Sequence, residues 1–148
     1  MARPNKWLNS LTGTMQINPD EYSPNTSPNR VASLGYAIAG WLYMLRRQKN
    51  TRIQAVATVF VLGLALWLQI DFLSMAILIL AVTMVWMAEF INAAVEAAIN
   101  LGTTERHPMA QVGKDVASAA VLLGAVASIL IGLLVLMPPL ISKLGWSG

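Results

Sequence analysis

The stretch FLSMAILILAVTMVWMAEFINAAVEAAIN, residues 72–100, is apolar as far as Ala88 and then carries two carboxylates and two amides. A bilayer crossing needs about 20 apolar residues, with a lower limit of roughly 17. A helix over the whole stretch, at about 1.5 Å per residue, is about 43 Å long, whereas the hydrocarbon core is near 30 Å thick. We therefore predict a transmembrane helix whose polar end leaves the hydrocarbon.

The composition of the chain agrees with a membrane protein. Of its 148 residues, 56% are hydrophobic and only 11% are charged, and its mean hydropathy is +0.59. A soluble domain averages about 25% charged residues. The absence of cysteine from the sequence excludes a disulfide framework and a thiolate metal site.

The rest of the chain divides into a polar tail and further helices. Residues 1–28 are rich in Asn, Pro, Ser and Thr, which predicts a flexible N-terminal tail. Residues 29–148 form one predicted membrane domain of the all-α class. It begins with an amphipathic helix at about 29–48, in which apolar residues recur every three or four positions, and this helix is expected to lie on the membrane surface. Three transmembrane helices are expected at about 53–70, 72–100 and 116–137, and Pro138 and Pro139 are expected to end the last one.

Basic residues indicate the orientation of the chain in the membrane. A cluster precedes the first span, and Arg106 and Lys114 lie between the second and third, whereas Lys143 alone follows the third. The positive-inside rule therefore predicts a cytoplasmic N-terminus and an outside C-terminus. We interpret the cluster as a cytoplasmic anchor and not as a nucleic-acid surface, because an apolar helix follows it directly. Its members are Arg46, Arg47, Lys49 and Arg52.

The third span contains small residues at every fourth position. Such a stripe lets helices approach closely in lipid, which predicts close packing within or between chains. Its members are Ala120, Gly124, Ser128 and Gly132.

The polar side chains of residues 88–100 share one helical face. Glu89, Asn92, Glu96 and Asn100 fall within about 80° of one another at 100° per residue. Two carboxylates on one stripe repel unless a cation or another partner stabilises them. Glu and Asn oxygens suit a hard ion such as Mg²⁺. The alternative is a polar seam that only joins helices through hydrogen bonds.

The loop that follows, LGTTERHPMAQVGKD, residues 101–115, adds charged groups at the same interface. We call the helical face that carries Glu89, Asn92, Glu96 and Asn100 the acidic face. The loop and the acidic face together offer anion partners, a metal site and a base, which are the parts that phosphoryl transfer requires. The sequence has no Gly-rich P-loop and no protein-kinase motif set. The loop residues in question are Glu105, Arg106, His107, Lys114 and Asp115.

Three motifs resemble a known family, the small bacterial integral-membrane lipid kinases, which comprise diacylglycerol kinase and undecaprenol kinase. They are S-x-x-Y-A-x-x-G at residues 33–40, AEFINAAVEAAIN at 88–100 and ERHPMAQVGKDVASAAVLL at 105–123. The resemblance covers roughly residues 29–137. It implies a homotrimer of a surface helix and three transmembrane helices, in the bacterial cytoplasmic membrane. It also implies ATP-dependent phosphorylation of a lipid hydroxyl, with Mg²⁺ accompanying ATP.

The resemblance also implies roles for particular residues. Glu89 corresponds to the family's proposed general base and Glu96 to a ligand of the Mg²⁺ that accompanies ATP. Asn92 is expected to support that pair. Gln48 stands where the family often has a second metal-binding glutamate, so we predict that metal affinity is lowered there. Asn100 stands where aspartate is common. Positions associated with nucleotide binding are Tyr36, Gln48, Glu96, Glu105, Arg106, His107, Lys114 and Asp115.

Other functions remain open from the residues alone. The acidic face would also suit a non-catalytic membrane assembly or a proton-relay or transport subunit. A third possibility is a family member that binds ATP without turnover, given Gln48 and Asn100. For a lipid kinase, the sequence does not distinguish diacylglycerol from undecaprenol as the substrate.

Overall fold

A computed structural model describes residues 30–102 and 105–145. They form four helices: α1 (Arg30–Arg47), α2 (Lys49–Leu68), α3 (Phe72–Gly102) and α4 (Pro108–Lys143). The predicted all-α class is confirmed. The predicted N-terminal tail lies outside the described residues.

Among the described residues, α2, α3 and α4 are long and apolar enough to cross a membrane. The three predicted long apolar helices are therefore present, and the first of them, α2, begins at Lys49, four residues before the start predicted for the span. Their crossing of the membrane at the predicted bounds stays a prediction. The described residues divide into two compact units, with the boundary between Trp41 and Leu42. In the first unit, the described part of α1 is largely exposed, including Val31 and Tyr36. Its location on a membrane surface stays a prediction.

In the second unit, α3 and α4 pack along much of their length and α2 makes a smaller contact with each. The small-residue stripe explains how α3 and α4 approach so closely. A Cβ atom added at Gly124 would lie 3.5 Å from Val85 Cγ2 and 3.7 Å from Ala88 Cβ. One turn further on, Ser128 Oγ donates a 2.8 Å hydrogen bond to the Ala81 carbonyl oxygen. The predicted close packing is therefore found within the chain at these two positions.

The connection between α2 and α3 is a tight turn. Gln69 closes α2 in the left-handed conformation, with φ of 55°, and Asp71 precedes α3. Asp71 Oδ1 accepts hydrogen bonds from the backbone amides of Leu73, at 2.9 Å, and Ser74, at 3.0 Å. Its Oδ2 accepts a 2.6 Å bond from Ser74 Oγ. This N-cap satisfies amides that have no partner inside the helix.

The prediction that Pro138 and Pro139 end the last helix was wrong, since α4 begins at Pro108 and continues through both prolines to Lys143. Proline removes an amide donor and crowds the carbonyl four residues earlier, which usually breaks a helix. Here contacts with the rest of the fold fix the final turns. Leu140 packs against the core formed by Ala65, Leu68, Leu78 and Leu136. Lys143 Nζ donates a 2.6 Å hydrogen bond to the Trp67 carbonyl oxygen and lies 4.3 Å from the centre of its indole ring.

Candidate functional site

Glu89 is a buried carboxylate at the polar end of α3, with only 5% of its surface exposed. The side-chain amide of Asn50, in the first turn of α2, donates a hydrogen bond to it. Because α2 and α3 are antiparallel neighbours, the polar start of α2 meets the polar end of α3. A buried carboxylate that accepts a fixed hydrogen bond is held in one orientation, as a proton acceptor in catalysis requires.

Asn92 and Glu96 form a pair one turn further along the same face. Asn92 Nδ2 donates to Glu96 Oε1 at 3.3 Å, the i,i+4 contact that helical spacing predicts. Asn92 Oδ1 is buried and has no hydrogen-bond partner among the described residues. An oxygen in this condition is free to accept an incoming donor or to coordinate a cation.

The donor set of this pair fits Mg²⁺. It combines one carboxylate with a buried amide oxygen, and Mg²⁺ is usually bound by one or two carboxylates together with water and substrate phosphates. Within residues 30–102 and 105–145, no group of three or more His, Asp or Glu side chains could hold a metal ion by itself. A metal site here would therefore depend on oxygen ligands from a phosphate substrate.

A polar cleft of about 570 Å³ lies where the 105–107 segment meets α4. The five predicted loop residues all line it, so the structure brings them together. The remaining lining residues come from the end of α3 and the first turns of α4. The whole lining consists of Ile99, Asn100, Glu105, Arg106, His107, Pro108, Ala110, Gln111, Lys114 and Asp115.

His107 has a structural role in this cleft, because it is the N-cap of α4. Its Nδ1 atom accepts a 3.2 Å hydrogen bond from the Met109 backbone amide. Pro108 occupies the first helical position, where its missing amide hydrogen is not needed. The cleft thus lies at a helix N-terminus, whose amides and dipole favour an anionic ligand.

Lys114 joins the cleft to the acidic face. Its Nζ atom donates a 2.7 Å hydrogen bond to Asn100 Oδ1, across from α4 to α3. Each of the four residues of the acidic face therefore takes part in a side-chain hydrogen bond. Glu89 is bonded to Asn50, Asn92 to Glu96, and Asn100 to Lys114. The face is thus bordered by α2 at one end and by the cleft at the other.

Gln48 is not among the residues that line the cleft. Tyr36 is 64% exposed and belongs to the first compact unit. Gln48 is half-buried between α1 and α2, where its backbone amide donates to the Met44 carbonyl oxygen at 2.9 Å and its side chain does not cap α2. Their roles in nucleotide and metal binding stay predictions.

Sequence reasoning missed Asn50, Thr51 and Gln54, the polar residues at the start of α2. The Thr51 Oγ1 and Gln54 Nε2 atoms are buried and without partners in the described part of the chain. Gln54 also lines a groove of about 440 Å³ between α2, α3 and α4, which we call the apolar groove because most of its lining residues are apolar. For Gln54 the available signal was a polar residue inside the predicted span 53–70, since such residues in a membrane helix face the protein interior or a cavity. Asn50 and Thr51 precede that span, so this signal does not apply to them.

Comparison with known proteins gives consistent matches over this region. The model of the family described as prokaryotic diacylglycerol kinase matches residues 35–136. The chain is 36% identical over 117 residues to a diacylglycerol kinase of Synechocystis sp., covering 78% of this chain and 67% of that protein. It is 33% identical over 95 residues to an undecaprenol kinase of Bacillus subtilis, covering 64% and 77% respectively. It is 28% identical over 100 residues to a diacylglycerol kinase of Escherichia coli, covering 68% and 82%.

Proposed function

The chain belongs to the prokaryotic diacylglycerol kinase family and is a multi-pass membrane lipid kinase, and we propose that it transfers the γ-phosphate of ATP to the hydroxyl of a membrane lipid alcohol. The product would be phosphatidic acid from diacylglycerol, or undecaprenyl phosphate from undecaprenol. The observation that carries this proposal is the buried Glu89 carboxylate, hydrogen-bonded by Asn50 and sharing a face with the Asn92–Glu96 pair.

Glu89 acts as the general base. As the lipid oxygen bonds to the γ-phosphorus, the bond from that phosphorus to the β,γ-bridging oxygen breaks and ADP leaves. The hydroxyl proton passes to the Glu89 carboxylate, and Asn50 keeps that carboxylate oriented. General-base assistance of this kind contributes about 10²-fold to 10⁴-fold to the rate.

The nucleotide binds along the acidic face and in the polar cleft. Glu96 and Asn92 Oδ1 would hold Mg²⁺, with Gln48 as a further oxygen ligand, and the bound ion supplies charge neutralisation for the triphosphate. Lys114, now bonded to Asn100, exchanges that amide for a phosphate oxygen. The other nucleotide contacts are Tyr36, Glu105, Arg106, His107 and Asp115.

The location of the reaction follows from its substrates. A lipid hydroxyl lies at headgroup depth and ATP does not enter hydrocarbon, so the two meet at the interface where α3 leaves the membrane. We place this interface on the cytoplasmic side of the bacterial inner membrane, because the cluster Arg46, Arg47, Lys49 and Arg52 precedes the first span. The functional unit is a homotrimer, as the family resemblance implies.

The assignments predict different defects for the two carboxylates. Glu89→Gln should lower kcat at least 100-fold while Mg-ATP still raises the unfolding temperature, because the amide cannot accept the proton. Glu96→Gln should instead weaken Mg-ATP binding, so that a higher Mg²⁺ concentration is needed for half-maximal rate. The measurements are transfer of radiolabelled phosphate in mixed micelles and thermal unfolding with and without Mg-ATP. EDTA should abolish both turnover and the nucleotide-dependent stabilisation.

The same experiment separates the kinase from its alternatives. Full activity in both variants would overturn the residue roles. A proton-relay or assembly subunit would show neither turnover nor stabilisation by Mg-ATP, and a member that only binds ATP would show stabilisation alone. The relay and assembly functions are not favoured, because the relatives that the chain matches are lipid kinases.

A further inference from the structure

Gln54 lies on α2 between two hydrogen bonds that join α2 to α3. One turn before it, Asn50 donates to Glu89. One turn after it, Thr58 Oγ1 accepts a 3.0 Å bond from Trp86 Nε1. This register places Gln54 next to α3, about 6 Å along the helix from the residue that contacts the proposed base, toward the hydrocarbon.

The amide nitrogen of Gln54 is buried without a hydrogen-bond partner among the described residues. A buried donor without an acceptor is unfavourable, because it has lost its bonds to water and gained nothing in exchange. Gln54 also forms part of the wall of the apolar groove. The terminal torsion of a Gln side chain is broad and soft, so an acceptor in the groove would draw the amide nitrogen toward it.

The groove has no other unpaired hydrogen-bonding side chain in the described structure. Its polar lining residues are Gln54, Thr58 and Ser128. Thr58 is bonded to Trp86, and Ser128 donates to the Ala81 carbonyl oxygen. The rest of the wall is apolar, including Leu64, Leu78, Ile129 and Leu136. The groove therefore suits a hydrocarbon chain with one acceptor at its Gln54 end.

We propose that Gln54 selects an ester-bearing lipid alcohol, so that diacylglycerol and not undecaprenol is the preferred substrate. With the lipid hydroxyl at Glu89, an ester carbonyl lies a few bonds deeper and accepts a hydrogen bond from Gln54, while an acyl chain enters the groove. A polyprenol has no acceptor except its reacting hydroxyl, and it leaves Gln54 unpaired. A site built to hydrogen-bond its substrate discriminates against an analogue that lacks the partner group. This inference rests on the proposed function.

The test compares three alcohols with the full-length protein in mixed micelles: diacylglycerol, a dialkylglycerol with the same chains joined by ethers, and undecaprenol. The wild type should show a kcat/KM for the ester about tenfold above that for the ether, as expected for one neutral hydrogen bond, and above that for undecaprenol. Gln54→Met keeps the side-chain length without the donor and should bring the ester-to-ether ratio close to one. Gln54→Glu, which as a carboxylate cannot donate, should do the same.

Val56→Leu is the matched control, because Val56 is 71% exposed on the same helix and does not line the groove. This variant should retain the ester-to-ether ratio of the wild type. An ester-to-ether ratio near one in the wild type, or a preference for undecaprenol, would overturn the assignment even if the Gln54 variants fail to fold. An unchanged ratio in folded Gln54 variants would overturn it while leaving the kinase intact. If none of the three alcohols is phosphorylated, the proposed function falls and the substrate assignment falls with it.

Discussion

Asn50 is the residue whose importance depends most on the fold. It stands between Lys49 and Thr51 in a polar segment that the sequence marks only as a basic anchor. In the structure its amide donates to the buried carboxylate of Glu89. Burying a carboxylate costs free energy unless hydrogen bonds or a counter-charge compensate, so Asn50 both stabilises Glu89 and orients it.

Replacing Asn50 by Leu should therefore lower kcat about tenfold with little change in the KM for ATP, because Glu89, the proposed base, loses its orienting donor while the proposed nucleotide contacts remain. Asn50→Ser, which retains a donor, should recover part of the rate. Steady-state kinetics in mixed micelles give both constants. Lys49→Leu, at an exposed neighbouring position, serves as the control. A raised KM for ATP with an unchanged kcat would contradict this positioning role.

The acidic face itself was predictable from the sequence. Helical periodicity is local, so the spacing of Glu89, Asn92 and Glu96 decides that they share a face, and the Asn92–Glu96 bond follows from a separation of four residues. The bond between Lys114 and Asn100 was not predictable in this way, because it joins two helices.

At the scale of elements, α3 owes its sharp start to the Asp71 cap. Hydrogen bonds from the Ser74 side chain and backbone, with one from the Leu73 amide, lower the pKa of Asp71 below its ordinary value of 3.8. A lowered folded-state pKa means that the cap contributes stability above about pH 4, and that this stability is lost as the pH falls through the folded pKa.

We expect the unfolding temperature of the wild type to fall more between pH 7 and pH 3 than that of Asp71→Asn. The side-chain amide introduced by this substitution still caps the helix but carries no charge that protonation could remove. Thermal unfolding in detergent at the two pH values measures the difference. Equal acid destabilisation of both proteins would show that the Asp71 charge does not contribute.

The close contact between α3 and α4 at Gly124 should tolerate a small side chain but not a large one. An Ala side chain there would be in ordinary van der Waals contact with Val85 and Ala88, so Gly124→Ala should be tolerated. Gly124→Leu should destabilise the protein by about 1–3 kcal/mol, because extra methylenes in a packed contact force the helices apart. Gly63→Leu is the control, since no atom lies within 4 Å of its added Cβ. Equal unfolding temperatures for the two Leu variants would contradict the packing argument.

The end of α4 shows where local rules fail. Residues 138 and 139 are both proline, and local preference alone predicts that the helix stops. The contacts of Leu140 with the core and of Lys143 with Trp67 bring the final turns back onto α2. Tertiary packing overrides a local preference of about 3 kcal/mol when enough contacts depend on the helix continuing.

At the scale of the whole molecule, the predicted homotrimer would be formed by contacts between apolar faces that are exposed in a single chain. Lipid tails are as apolar as Leu, so exposed apolar faces do not associate by hydrophobicity alone and need close packing or polar contacts. Gly124 and Ser128 already contact α3 within the chain, so those two positions of the stripe are not available to a neighbouring copy. The trimer therefore rests on the family resemblance and not on that stripe.

Native mass spectrometry of the protein in nanodiscs should give about three times the chain mass of 16.0 kDa. Cross-linking at low protein density in vesicles should likewise give a trimer as the largest cross-linked species, because a specific assembly has a fixed number of subunits. The monomer obtained in a denaturing detergent provides the reference mass. A monomer or dimer as the dominant catalytically active species would contradict the prediction.

The sequence by itself determined the helical class, the three long apolar helices and the shared polar face, because hydropathy and helical periodicity depend only on neighbouring residues. Only the tertiary structure decided that Asn50 meets Glu89, that Lys114 meets Asn100, that Gln54 borders the apolar groove and that α4 continues beyond its prolines. Each of these depends on the register and distance between helices. Those quantities are set by side-chain packing between residues far apart in the chain, which no local pattern encodes.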